Sequence, residues 1–61
     1  MERLVDVFTK QGRRHVWTYS VTLGQRNFHP SLTDFEQEAV RRAIDDRRGS
    51  PADLTAKVRT V

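Results

Sequence analysis

The sequence predicts an α+β fold. A small antiparallel sheet of two or three strands, which starts with an N-terminal hairpin, packs on one amphipathic helix, and the chain ends in a short C-terminal strand. Apolar and polar side chains alternate around a glycine-containing turn in residues 3–23. Apolar side chains then recur every three or four positions in residues 32–48. We therefore expect 1–61 to be a single small domain, with a hairpin at about 3–23, a helix at about 32–48 and a tail at 50–61.

The predicted hairpin joins two strands at Gly12. Residues 3–9 are rich in β-branched and aromatic side chains, and residues 14–23 alternate regularly. In the second strand we expect the odd-numbered side chains to face the helix, and they are His15, Trp17, Tyr19, Val21 and Leu23.

The sequence is compatible with two pairing registers of the hairpin. A two-residue turn would pair Val7 with Val16, whereas a three-residue loop would pair Val5 with Trp17. We favour the second register because it places Val5, Val7, Trp17 and Tyr19 on one face of the sheet. After Gly24, residues 25–28 form either a short third strand or the connection to the helix, and we expect Phe28 to cover the open edge of the core.

The helix has marked ends. Ser31 and Thr33 can both act as N-cap, and the spacing from Thr33 to Glu36 matches a capping box better. At the other end, Gly49 suits a left-handed position and Pro51 cannot continue the helix. The apolar stripe consists of Leu32, Phe35, Ala39, Val40, Ala43 and Ile44. Glu36 lies inside that stripe, either as the capping acid or as a functional carboxylate.

The tail allows two conformations. Pro51 and Asp53 are typical of a helix start, but Leu54, Ala56 and Val58 alternate with polar residues. The β-branched residues near the C-terminus favour a final strand.

Composition and sequence pattern argue against several classes of function. There is no cysteine, and His15 and His29 are the only histidines, so we expect neither a metal site nor a cofactor. No glycine-rich phosphate loop or nucleophile–base pair is present, and we expect no enzymatic activity. No stretch resembles a membrane span or signal peptide, so we expect a cytoplasmic protein.

The positive charge lies ahead of the helix. The formal net charge is +3, and residues 1–29 carry five basic and two acidic side chains. Basic side chains at a hairpin end can contact phosphates, and an aromatic side chain on an exposed sheet face can stack on bases. The candidate nucleic-acid contacts are Lys10, Arg13, Arg14 and Arg26.

This pattern resembles the AP2-like, arm-type DNA-binding domains of some phage integrases. The resemblance covers residues 12–48: Gly12-Arg13, Trp17-x-Tyr19-x-Val21, Gly24-x-Arg26-x-Phe28, and a helix that begins at Thr33 and contains Ala39. In that family a three-stranded sheet backed by one helix lies in the major groove of DNA, so the resemblance implies DNA binding through the sheet.

Two classes of function follow. The first is nucleic-acid binding through the basic hairpin. The second is a protein-interaction module or small regulator, and a homodimer is one form it could take. The second rests on the small core of a chain without disulfides and on strand edges that could pair with another chain.

Overall fold

Three strands and one helix make up the part of the chain that the computed structural model describes, residues 1–24 and 29–59. The strands β1 (Glu2–Thr9), β2 (His15–Thr22) and β3 (Leu54–Val58) form an antiparallel sheet in the order β2-β1-β3. The helix α1 (Leu32–Asp45) packs on one side of this sheet. The predicted α+β class, hairpin, helix and C-terminal strand are confirmed.

The third strand comes from the tail. β3 pairs with β1, so the N-terminal strand is the centre of the sheet and the hairpin partner β2 lies at one edge. The alternative third strand at residues 25–28, and with it the role expected for Phe28, lies outside the described residues.

Both predicted hairpin registers are wrong, because a β-bulge shifts the pairing between Val7 and Phe8. Val5 lies opposite Tyr19, and Val7 lies opposite Trp17. The Thr9 hydroxyl closes the loop, since it donates to the carbonyl of Gln11 at 2.7 Å and accepts from the backbone N–H of Arg14 at 3.0 Å.

The β-bulge lies in β2. The pairing shifts after Val7, so that Phe8 lies opposite His15 and Val16 is the extra residue. The bulge turns Val16 toward the core and His15 toward the face opposite the helix. The prediction that His15 faces the helix is therefore wrong.

The core lies between the helix and one face of the sheet. Its buried members are Val5, Val7, Tyr19, Val21, Phe35, Ala39, Ala43, Leu54 and Val58. The alanines let the helix approach the sheet closely, and Phe35 supplies the largest fully buried side chain. Two residues expected in this layer lie at its rim instead, since Trp17 is 47 % exposed and Leu32 is 53 % exposed.

The capping box at the helix start uses Ser31 and not Thr33. The Ser31 hydroxyl accepts from the backbone N–H of Asp34 at 3.2 Å, and the Asp34 carboxylate accepts from the backbone N–H of Ser31 at 2.8 Å. Both spacings exist in the sequence, and the chain uses the earlier one. Glu36 therefore takes no part in the cap.

The helix end is a Schellman motif centred on Arg47. The backbone N–H of Arg48 donates to the Ala43 carbonyl, and that of Arg47 donates to the Ile44 carbonyl, both at 2.9 Å. Arg47 has φ 59°, the left-handed conformation that the sequence assigned to Gly49. Gly49 serves a different purpose: a Cβ built there would lie 2.9 Å from Cδ2 of Leu54, so glycine leaves room for that side chain.

Candidate nucleic-acid interface

The hairpin loop holds its basic side chains in water at one end of the molecule. Gly12 (φ 80°) and Arg13 (φ 48°) are both left-handed, which bends the chain sharply between the two strands. Lys10, Arg13 and Arg14 are exposed there. Arg26, the fourth predicted contact, lies outside the described residues.

A recess of about 630 Å³ opens between the hairpin end, β3 and the helix. Its lining consists of Phe8, Lys10, Arg13, Glu36, Thr55, Ala56 and Lys57. The structure thus brings the predicted Lys10 and Arg13 together and adds Lys57. Arg14, at the exit of the loop, does not line this recess.

The three cations of the recess and the neighbouring Arg14 have no ion-pair partner among the described residues, as is also true of Arg3 and Arg47 elsewhere on the surface. Among residues 1–24 and 29–59, no acid lies within 4.0 Å of the charged atoms of Lys10, Arg13, Arg14 or Lys57. Their charge is therefore not neutralised by a neighbouring described carboxylate, which leaves them able to contact an anionic ligand.

The arginines of the helix are matched by acids. Arg41 binds Glu38 and lies 3.4 Å from Asp45, and Arg42 also lies 3.4 Å from Glu38. The hydrogen bond from Arg41, partly opposed by desolvation, lowers the pKa of Glu38 below its usual range. These pairs stabilise the helix surface modestly and leave little net charge there.

Arg59 is neutralised as well, on the face of the sheet opposite the helix. Its guanidinium donates to both oxygens of Asp6, which also accepts from the hydroxyl of Thr18 at 2.6 Å. Because the Thr18 proton is used in that bond, its oxygen is the acceptor for His15 Nε2 at 2.8 Å. His15 thus belongs to a polar network that joins strands.

Neither Trp17 nor Tyr19 lies on the face opposite the helix, so neither can stack on a base there. The Tyr19 hydroxyl donates to Oδ2 of Asp46 at 2.7 Å, and the ring is buried. The guanidinium of Arg48 lies 4.0 Å from the centre of the Trp17 ring, a cation–π contact that covers the half-exposed side chain. Both aromatics tie β2 to the end of the helix.

Phe8 and Lys57 are the two residues of the recess with an aromatic or charged side chain that were not among the residues singled out from the sequence. Phe8 alternates with the buried Val7, so its position in the strand already placed it on the face opposite the helix. Lys57 alternates with Ala56 and Val58 in the same way. That β3 lies beside β1, and so places Lys57 diagonally beside Phe8, could not be read from either pattern.

Glu36 lies in the wall of the recess. Since Asp34 has the capping role, the interpretation of Glu36 as a capping acid is wrong. It is the one acid in the described lining, beside three cations. A phosphate is therefore favoured on the hairpin and β3 side of the recess and disfavoured at the helix side.

The two edges of the sheet differ. On β2, the Ser20 carbonyl accepts a hydrogen bond from Arg42 at 3.0 Å. On β3, two hydrogen bonds to β1 show which residues of the strand face it: the Lys10 N–H donates to the Asp53 carbonyl, and the Arg59 N–H donates to the Leu4 carbonyl. By antiparallel alternation, the backbone groups of Leu54, Ala56 and Val58 then point away from β1. No described strand pairs with this outer edge.

Within the described residues, no three His, Cys, Asp or Glu side chains are placed to hold a metal ion. No described helix combines the length and apolar character needed to cross a membrane. No protein-family model matches the chain, and no curated protein or solved structure is significantly similar to it.

Proposed function

We propose that this chain is a non-enzymatic nucleic-acid-binding module that contacts phosphates with the end of its β-hairpin. The observation that supports the proposal is the gathering, in one recess, of three cations that are unpaired within the described part of the chain. Lys10, Arg13 and Lys57 line one recess without an ion-pair partner among the described residues, while Arg41, Arg42 and Arg59 are matched by acids.

This arrangement suits contacts to a phosphate backbone. Lys and Arg side chains that neutralise phosphates release condensed counterions, and that release drives binding of any sequence. A loop that projects its cations from the end of a sheet can approach a backbone without rearranging the fold. Base recognition is not required for such binding.

Fluorescence anisotropy with a labelled oligonucleotide at increasing salt tests the proposal. The double variant Lys10→Gln/Arg13→Gln should bind more weakly, and each lost phosphate contact should lower the log–log salt slope by about 0.7–0.9.

The control is the double variant Arg3→Gln/Arg47→Gln, which removes the same net charge from two exposed arginines that do not line the recess. The control variant should retain nearly the whole log–log salt slope of the wild-type protein. The proposal fails if wild-type protein binds neither duplex nor single strands at low salt. It also fails if the two double variants lose affinity equally, because net charge alone would then explain binding.

The second candidate is a protein-interaction module, favoured by the outer edge of β3. The backbone groups of Leu54, Ala56 and Val58 point outward there. A groove beside this edge is lined by partly buried apolar side chains, Val40, Ile44 and Ala56. An extended segment of a second copy could add to such an edge and bury the groove.

Sedimentation velocity over a range of protein concentration tests this candidate with Ala56→Pro. Because the N–H of Ala56 points outward, proline removes a donor that only an added strand would use. Self-association through the edge should be lost in Ala56→Pro and kept in Ala56→Val. A wild-type chain that stays monomeric throughout would remove self-association as a function.

A further inference from the structure

We infer that the recess at the hairpin end binds single-stranded nucleic acid in preference to duplex, with one unpaired base stacked on Phe8. This inference rests on the proposed function and names its substrate class. Phe8 lines the same recess as the cations Lys10, Arg13 and Lys57. An aromatic ring beside unneutralised cations is the combination with which proteins hold single strands.

Phe8 is placed on the central strand and away from the core. It alternates with Val7, which is fully buried under the helix, and it lies between His15 on β2 and Thr55 on β3. The ring is half-buried and belongs to no part of the buried core. A large apolar side chain in this position has a surface that a base can cover.

His15 orients that ring. The two ring centres lie 5.8 Å apart with an angle of 71° between the planes, an edge-to-face contact. His15 is in turn held by its hydrogen bond with Thr18. A ring fixed from the side in this way loses little side-chain entropy when a base stacks on it.

Three cations share the recess with Phe8, so a strand whose base stacks on the ring could place its phosphates near them. Lys10 and Arg13 belong to the loop that follows β1, and Lys57 lies on β3, one diagonal position from Phe8. Glu36 contributes to the lining from the helix side of the sheet, where it repels phosphate. The strand would therefore pass along the hairpin and β3 side.

Duplex DNA or RNA cannot place a base on Phe8. Its bases are paired and stacked, so none can reach Phe8 unless it is first extruded. A duplex could still contact the exposed loop cations, but it would gain nothing from the ring. Phe8 therefore distinguishes single strands from duplex, whereas Lys10 and Arg13 contribute to both.

Anisotropy titrations of the full chain provide the test, with three probes: an oligo(dT) of about 12 nucleotides, in the range of known single-strand site sizes, a duplex of the same length, and an oligoglutamate peptide. Wild type should bind the single strand most tightly. Phe8→Leu should lose roughly tenfold in affinity for the single strand, as expected for one stacked base, and little for the duplex.

Two further variants distinguish loss of the stacking contact from loss of the folded structure. Phe8→Trp should keep single-strand binding, and its emission should be quenched on titration more than that of wild type, whose Trp17 is covered by Arg48. Glu36→Gln should bind several-fold more tightly, because a like charge is removed from the wall. A damaged fold would explain neither result.

The outcomes separate the two proposals. Equal affinity for single strand and duplex, with no effect of Phe8→Leu, overturns this inference and leaves the phosphate-binding function standing. Binding of the oligoglutamate peptide as tight as that of the single strand also overturns it, because charge alone would suffice. Absence of binding to either nucleic acid at low salt removes both proposals.

Discussion

The guanidinium of Arg59 donates two hydrogen bonds to the carboxylate of Asp6, at 2.7 Å to Oδ1 and 3.2 Å to Oδ2. Asp6 lies in the middle of β1, and Arg59 immediately follows β3, 53 positions later. Because the hydroxyl of Thr18 on β2 donates to the same carboxylate, Asp6 connects all three strands on the face opposite the helix.

Loss of this connection should destabilise the fold. The side chain of Asp6 is largely covered, and its bidentate partner holds it in one geometry. We expect Asp6→Asn and Arg59→Gln each to lower the thermal midpoint by about 2–5 °C. Circular dichroism melts measure this, with Arg3→Gln as the control for removal of an arginine from the sheet. An equal change in Arg3→Gln would contradict a specific role for the pair.

The stabilisation by Asp6 should also depend on pH. The hydrogen bond from Arg59, and then that from Thr18, lowers the pKa of Asp6 in the folded chain. The carboxylate therefore stabilises the fold fully above its unfolded pKa of about 3.9, and this contribution is lost as pH falls through the folded value.

Urea denaturation of wild type and Asp6→Asn at a series of pH values measures the effect. The difference in unfolding free energy between the two proteins should be constant near neutrality and should shrink in acid. Other acids, such as Glu38, titrate in both proteins and cancel from the difference. A gap that stays unchanged at low pH would contradict the prediction.

Tyr19 should produce the opposite dependence, at alkaline pH. Burial, and then the hydrogen bond to Asp46, raises the pKa of the Tyr19 hydroxyl, although Arg48 opposes the shift. The neutral hydroxyl therefore stabilises the fold below the unfolded pKa of about 10, and this stabilisation is lost as pH rises through the folded value.

Tyr19→Phe isolates this contribution, because phenylalanine fills the same space without a titrating group. The variant should be less stable than wild type at neutral pH, by about 0.5–1.5 kcal/mol for the lost hydrogen bond. The two unfolding free energies should converge above about pH 10. If the difference in unfolding free energy between the two proteins stays constant across this pH range, ionisation of Tyr19 does not affect stability.

The sequence predicted the fold class because its periodicity is local. Alternation in β1, β2 and β3 and the spacing of Phe35, Ala39 and Ala43 require no knowledge of the tertiary structure. The hairpin register was beyond reach, since it depends on the Thr9 hydroxyl closing the loop and on a bulge at Val16. Neither feature changes the apolar pattern.

The candidate site was predictable only in part, for a related reason. Lys10 and Arg13 are neighbours in the loop, so their shared location follows from the hairpin alone. Lys57 joins them because β3 pairs with the central strand, and strand order depends on how the helix crosses the sheet. Trp17 is expected among the side chains that face the helix, but it lies at the rim of the core, and its contact with Arg48 is a tertiary one that the strand pattern does not contain.

Arg47→Gly should stabilise the protein. Arg47 has φ 59° at the position after the helix cap, where a side chain costs about 1 kcal/mol and glycine costs less. We expect a gain of about 0.5–1 kcal/mol, which corresponds to a rise in thermal midpoint of a few degrees. Arg47→Ala is the control, because it removes the same charge but keeps the Cβ. Equal stabilisation by both variants would assign the effect to charge.

Gly49→Ala should destabilise the protein, although its backbone conformation suits alanine. Gly49 does not have a positive φ, so the substitution would by itself stabilise by about 0.4–1 kcal/mol through the unfolded chain. The new Cβ, however, would lie 2.9 Å from Cδ2 and 3.1 Å from Cγ of the buried Leu54. Overpacking of this kind costs about 1–3 kcal/mol, so we expect a net loss of about 1 kcal/mol.

A double-mutant cycle with Leu54→Ala separates overlap from other causes. Leu54→Ala alone should cost about 2–5 kcal/mol, because it empties a buried site. In that background the new methyl group has room, so Gly49→Ala should cost nothing or even stabilise. Urea denaturation of all four proteins, at a temperature where Leu54→Ala remains folded, measures the coupling. If the two losses simply add, contact with Leu54 is not the reason for glycine at position 49.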